Sequence, residues 1–218
     1  KIRPSGGPVT GGTFVSIIGA GFVDTNNQTL CRFYDEEVPA TNENENTLVC
    51  RTPSKLNYMM SLGNPASMDL DVKITVNGQD YSSDGGNFEY QWPVKVRGLE
   101  PSRGPIEGGT FVNVTGSGFS ERAALLGYMF CRFNKTVVAA AWRSATEVHC
   151  VAPEHEAAAV SVEITQNEQQ YAGSLTFEYE DGAPYTVVPR GGPVRGGTTL
   201  RLHGASIHRV STGVSTGV

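Results

Sequence analysis

One stretch of this chain is written three times. PSGGPVTGGTFVSIIGAGF starts at residue 4, PSRGPIEGGTFVNVTGSGF at residue 101 and PRGGPVRGGTTLRLHGASI at residue 189. The first two copies agree at 12 of 19 positions and the first and third at 10 of 19, in register and without gaps. Agreement of that kind means tandem copies of one module. A period of roughly ninety residues is too long for a solenoid repeat of about 20–50 residues and suits a domain with its own core. The 218 residues therefore divide into two complete modules, 1–92 and 93–182, and the opening of a third, 183–218. The opening strands of a module cannot bury a core alone, so the sequence is expected to be a piece of a longer chain.

Within the second copy, GPIEGG is a turn cluster, because Pro fixes φ and Gly admits positive φ. TFVNVTG then alternates, with Val112 and Val114 on one face and Phe111, Asn113 and Thr115 on the other. That is a period-2 strand with one buried face. The first copy places Val15 and Ile17 inward in the same way, and the third Leu200 and Leu202. GSGF ends the strand on two glycines, and Phe119, like Phe22 before it, is expected to return into the core. The remainder of each module reads as further short strands, DVKITV with an NGQ hairpin turn in the first and SVEITQ in the second. About seven strands per module are expected, with ERAALLGYMF the nearest approach to a helix and residues 55–66 a long polar loop. Seven short strands in some ninety residues make an all-β chain of tandem immunoglobulin-like sandwiches.

Four cysteines fall two per module at matching places, Cys31 and Cys50, then Cys131 and Cys150. A repeated, equally spaced pair reads as one disulfide per module, which places the chain in an oxidising compartment. Buried free thiols and a metal site are the competing readings. Structural zinc asks for four ligands, usually in close-spaced pairs, and each module supplies two distant cysteines. Asn-X-Thr sequons occur at Asn27, Asn113 and Asn134, each a candidate N-glycan acceptor in a secretory protein. Asn113 lies within a strand, so it qualifies only if its face is open.

The formal net charge is −5. Residues 1–92 carry six basic and eleven acidic side chains, and residues 93–182 seven and eleven. Two acidic modules argue against a nucleic-acid partner, which needs clustered Lys and Arg. No apolar run of 18 residues marks a spanning helix, so a membrane would be reached only through an anchor outside these residues. GAGFVD and GSGFSE imitate a dinucleotide-binding glycine motif, but Asp24 and Glu121 stand where its third glycine belongs. His203 and His208 are five apart and face opposite sides of a strand. Asp69 and Asp71 share a strand face, where calcium is weighed against a solvated edge and the edge is preferred. Trp92 falls at the junction of the modules and is expected to limit their hinge, and Trp142 is expected in the core or on a strand face. The residues call for no cofactor and show no catalytic constellation.

The pattern P…GP…GGT…V…G…GF, a Cys some ten residues on, then C-R-T-P or C-V-A-P, and an F-E-Y ending, resembles the IPT/TIG domain over nearly the whole chain. The third copy departs from it at Ser206 and Ile207. The resemblance implies an early-set immunoglobulin-like sandwich of the kind found in plexins, Met-like receptors and fibrocystin-like cell-surface proteins. It implies a non-catalytic extracellular role in adhesion, as a receptor stalk or in protein–protein contact, with other proteins or further IPT/TIG modules as partners. The fold also serves polysaccharide-acting enzymes as an accessory module and Rel-type factors as a DNA-contacting module. An aromatic platform would favour the former and a basic face the latter.

Overall fold

The structure is a computed structural model and describes residues 1–22, 28–181 and 186–203. The first module comprises β1 (Ile2–Arg3), β2 (Gly6–Pro8), β3 (Phe14–Ile18), β4 (Leu30–Phe33), β5 (Glu36–Asn44), β6 (Thr47–Arg51), α1 (Leu56–Ser61), β7 (Ser67–Thr75) and β8 (Gly86–Gln91). The second repeats it as β9 (Lys95–Glu100), β10 (Arg103–Pro105), β11 (Phe111–Ser117), α2 (Glu121–Leu125), β12 (Phe130–Phe133), β13 (Thr136–Ser144), β14 (Glu147–Val151), β15 (Ala158–Thr165) and β16 (Tyr171–Glu180). Beyond them, β17 (Thr186–Val188) pairs antiparallel with β18 (Arg201–His203).

Strand pairing runs β1-β3-β6-β5-β4-β7-β8-β2 in the first module, and the second follows the same order. Two crossings fold this ribbon into a two-layered sandwich. β5 pairs with β4 up to Pro39 and with β6 from Ala40 on, so it belongs to both layers. The opening strand also changes layer. β1 lies antiparallel to β3, the chain turns at the cis Arg3–Pro4 bond, and β2 continues parallel to β8. Each module thus has eight strands rather than about seven, because Pro4 and Pro101 split one opening strand in two.

The alternation of the repeated stretch sets the core. Val15 and Val112 are fully buried, and their neighbours Phe14 and Phe111 point outward. Phe33 and Phe88 meet edge to face at 6.0 Å and Phe133 and Phe177 at 5.5 Å, each pair extended by Tyr90 or Tyr179. Phe22 and Phe119 turn back into the core as the glycines before them allow. A Cβ on Gly116 would stand 2.3 Å from the Lys95 carbonyl and 2.9 Å from the Phe119 ring.

The stretch 55–66, expected as a loop, carries α1. Lys55 is buried at its start, and its ammonium meets the Asp35 carboxylate and lies 3.3 Å from Glu36. That donor holds the Asp35 carboxyl below the usual carboxylate range. Met59 reaches the core, and Tyr58 stacks on Tyr34 at 5.3 Å. The helix has six residues and no side-chain cap, so tertiary anchoring rather than local signal creates it. ERAALLGYMF does contain a short helix, α2, whose start is capped by Ser120 Oγ accepting from Ala123 N at 3.2 Å.

Candidate functional site: the joint between the modules

The cysteines lie where the two layers face one another. Cys31 on β4 is disulfide-bonded to Cys50 on β6, and Cys131 on β12 to Cys150 on β14, each with Cα atoms 6.3 Å apart. Each bond ties one sheet to the other. Asn134 sits in the exposed turn between β12 and β13 with φ of 54°. Asn113 is half-buried between Glu100 and His149 of the flanking strands, and its amide oxygen is enclosed without a hydrogen-bond partner. Asn27 lies outside the described residues, as does His208.

The residues that could position one module on the other were not singled out by sequence. They centre on the β15–β16 hairpin, residues 165–171. Asn167 is buried there, and its Oδ1 accepts from the backbone N–H of Gln169 at 3.2 Å and of Gln170 at 3.0 Å. Thr165 Oγ1 donates to the same oxygen and accepts from Asn167 N–H, both at 3.3 Å. An Asn side chain satisfying its own turn in this way fixes the loop's shape. Beside it, the Arg132 guanidinium lies 3.7 Å from the Tyr171 ring centre and pairs with Glu163.

That stiffened hairpin seats on an open sheet edge of the first module. Thr13 carbonyl accepts from Thr52 N–H at 2.9 Å, so strand alternation aims the N–H and C=O of Phe14 the other way, toward β1. β1 has already left the layer at Pro4. The carboxamide of Gln169 takes the missing strand's place. Its Oε1 accepts from Phe14 N–H at 2.8 Å, and its Nε2 donates to Phe14 C=O at 2.7 Å. Asn167 Nδ2 donates to Thr13 Oγ1 at 3.2 Å, Thr13 Oγ1 donates to Gln170 Oε1 at 3.1 Å, and Gln170 Nε2 donates to Gly12 C=O at 3.2 Å.

A second set of contacts flanks the connecting segment. Gln166 donates to Gly118 C=O at 2.9 Å and to the Gln91 side chain at 3.2 Å, and accepts from Ser120 N–H. Arg122 pairs with Asp69 across the joint at 2.6 Å. Asp69, expected on a solvated edge, is thus an inter-module ion pair. Trp92 lies at the junction as expected: it packs on the first core, its indole N–H donating to Pro65 C=O at 2.9 Å, and it also lines the joint. Trp142 is half-buried on the second core and donates to Phe119 C=O at 3.2 Å.

The joint is held mainly by neutral amides and hydroxyls, with the Arg122–Asp69 ion pair beside them. A cavity of about 190 Å³ lies in the joint among Pro8, Trp92, Val94, Ile164 and Tyr171. It is smaller than the roughly 300–1,000 Å³ of small-molecule pockets, and a wider, open cleft of about 560 Å³ flanks the joint beside Arg3, Phe14, Tyr128 and Gln169. Among the described residues, no group of three or more His, Cys, Asp or Glu is placed to hold a metal ion, and no helix is long and apolar enough to cross a membrane.

The sequence profile of the IPT/TIG domain matches residues 1–90 and 93–179. Human fibrocystin-L (Homo sapiens) is 32% identical over 123 residues, 56% of this chain and 3% of that protein. Mouse plexin-B2 (Mus musculus) is 31% identical over 121 residues, 55% of this chain and 6% of that protein. The chain thus spans a few hundredths of the length of these relatives. Among solved structures, the full extracellular region of plexin A4 aligns with 86% of this chain and 16% of its own, at 22% identity and a TM-score of 0.51, a likeness of fold.

Proposed function

The chain belongs to the IPT/TIG domain family, and from that premise we propose that it is a non-catalytic, extracellular spacing and recognition segment of a larger cell-surface or secreted protein. Its units in this reading are 1–92, 93–182 and a third that opens at 183. The observation that carries the reading is the joint. Modules linked by a bare connector swing freely. Here Gln169 closes the edge of β3, while Gln166 bonds Gln91 at the end of β8 and Arg122 pairs with Asp69 on β7. The work such a segment does is geometric: it holds whatever flanks it at a set orientation and presents side chains to protein partners.

An oxidising setting supports the same reading, because each sandwich closes its layers with a disulfide. Asn134 is the glycan acceptor the geometry favours, being exposed at a turn tip. Asn113 is a weaker acceptor with its amide half-enclosed, and Asn27 stands on its sequon alone. The test is expression through a eukaryotic secretory pathway, then peptide mass spectrometry without reduction. Cys31–Cys50 and Cys131–Cys150 should be recovered as linked peptides, with glycan on Asn134. Free thiols at these positions in native material overturn the reading.

A further inference from the structure

The joint makes an opening that neither module has alone. It is the cleft of about 560 Å³ between the outer face of β3 and the 165–171 hairpin, a volume inside the roughly 300–1,000 Å³ of ligand sites. The first module supplies Arg3, Phe14, Ser16 and Glu43 to it, and the second supplies Tyr128 and Glu168. Its walls all belong to the two joined modules, so the closed joint itself creates it.

Polar groups gather there with their bonding capacity unspent. Tyr128 is only 6% exposed, yet among the described residues its hydroxyl has no hydrogen-bond partner. The Ser16 hydroxyl and the Glu43 carboxylate are likewise unpartnered among the described residues. A hydroxyl so enclosed calls for a partner, and Tyr128 borders the cleft. Arg3 lies 5.6 Å from the centre of the Tyr128 ring and 4.0 Å from the Glu168 carboxylate, a spacing that leaves its N–H donors open to a third group. Phe14 adds a ring that is 57% exposed. The floor is low because Ser16 faces Val49 across β3 and β6. The same register in the second module holds the larger Asn113 and His149. The cleft is therefore made by these particular residues and not by the repeat as such.

This set selects a class of ligand. An anion would be repelled by Glu43 and Glu168, and the cation that Glu168 invites is already present as Arg3. A neutral sugar meets no opposed charge. Its hydroxyls donate to carboxylates and accept from guanidinium and phenol alike, and its C–H face suits the negative face of an aromatic ring. We propose that the inter-module cleft binds a neutral oligosaccharide, one sugar ring packed on Phe14 and its hydroxyls shared among Tyr128, Glu43 and Arg3. An open cleft covers one side of the sugar, so the affinity is on the order of 1 mM. Both modules contribute walls, so the bound sugar favours the closed joint and an opened joint releases it. The inference deepens the recognition role proposed above and rests on it for the setting in which glycans are met.

The test begins with the oxidised 218-residue chain, displayed multivalently to offset weak binding. It is passed over an array of neutral N-glycans and neutral plant and bacterial oligosaccharides, with sialylated and sulfated glycans beside them. Neutral glycans should be retained and charged ones not. Which neutral set is retained tells whether the sugar belongs to a glycoprotein or a polysaccharide. Titrating the isotope-labelled chain with the best-retained sugar should shift the amides of Phe14, Ser16, Tyr128 and Glu168. Tyr128→Phe removes a hydroxyl that no described protein group uses, and Glu43→Ala removes an exposed carboxylate, so both variants keep the fold. Each should weaken the sugar about three- to tenfold, the loss of one hydrogen bond. No neutral glycan retained, amides shifted only elsewhere, or variants that bind like the wild type overturns the proposal. If both disulfides and the Asn134 glycan are found and no sugar binds, this inference fails and the extracellular reading stands.

Discussion

Gln169→Ala removes the side chain that stands in for a strand on β3. It deletes the acceptor for Phe14 N–H at 2.8 Å and the donor to Phe14 C=O at 2.7 Å. Each such bond contributes a net ~0.5–1.5 kcal/mol. Gln169 is exposed, so water can replace it at both backbone groups, and no burial penalty adds to the loss. The expected cost is about 1–2 kcal/mol, which opens the joint about 5–30 times more often. Native-state hydrogen exchange reads this directly, since the Phe14 amide is protected by Gln169 and not by β6. Its protection factor should fall by that ratio, while the amides of Val15 and Cys50 in the β3–β6 ladder keep theirs. Gln169→Glu should retain part of the Phe14 protection, because a carboxylate still accepts from the N–H but can no longer serve the C=O. Unchanged protection of Phe14 in Gln169→Ala refutes the assignment. An equal loss at Val15 and Cys50 also refutes it, since that pattern is destabilisation of the whole module.

Replacing Cys131 and Cys150 together by Ala reopens a loop with a sequence separation of 19 and should cost about 3 kcal/mol. Denaturant unfolding followed by Trp142 fluorescence in a Trp92→Phe background reports on the second module alone, and a loss below about 1 kcal/mol contradicts the role given to the bond. Burial raises the phenols of Tyr90 and Tyr179, the latter to about 12. The folded state therefore holds these protons more tightly than the unfolded chain, whose tyrosines titrate near 10. Their contribution is complete below about pH 10 and is lost as pH rises from there toward 12, and a stability curve flat across that interval contradicts the burial argument.

Much of the fold could be read from single residues. The alternation Val112–Val114 specifies a strand with one wet face, and the layer it faces is the one observed. The paired cysteines are bonded as their spacing suggests, because the same interval recurs at the same strands. The helix at Leu56–Ser61 was not legible, since its six residues carry no cap and its order comes from Lys55 and Met59 meeting distant groups. The joint was hidden for a different reason. QNEQQ is a polar turn by composition, and nothing local says that Asn167 is buried or that Gln169 meets Phe14 a module away. One signal was available, the Thr-X-Asn shared by Thr75–Asn77 and Thr165–Asn167. It marks both turns as self-capped, and a rigid exposed turn is a natural contact.

The bracket that Cys31 and Cys50 place around the crossing strand β5 also governs how a module lengthens when pulled from its ends. Once the sandwich yields, the residues between the two sulfurs stay out of the extending path, which at about 3.4 Å per residue withholds roughly 65 Å of contour. The second module withholds the same length between Cys131 and Cys150. Each unit thus gives way in a step shortened by that length and keeps a covalently closed loop from which to fold again when the load is released.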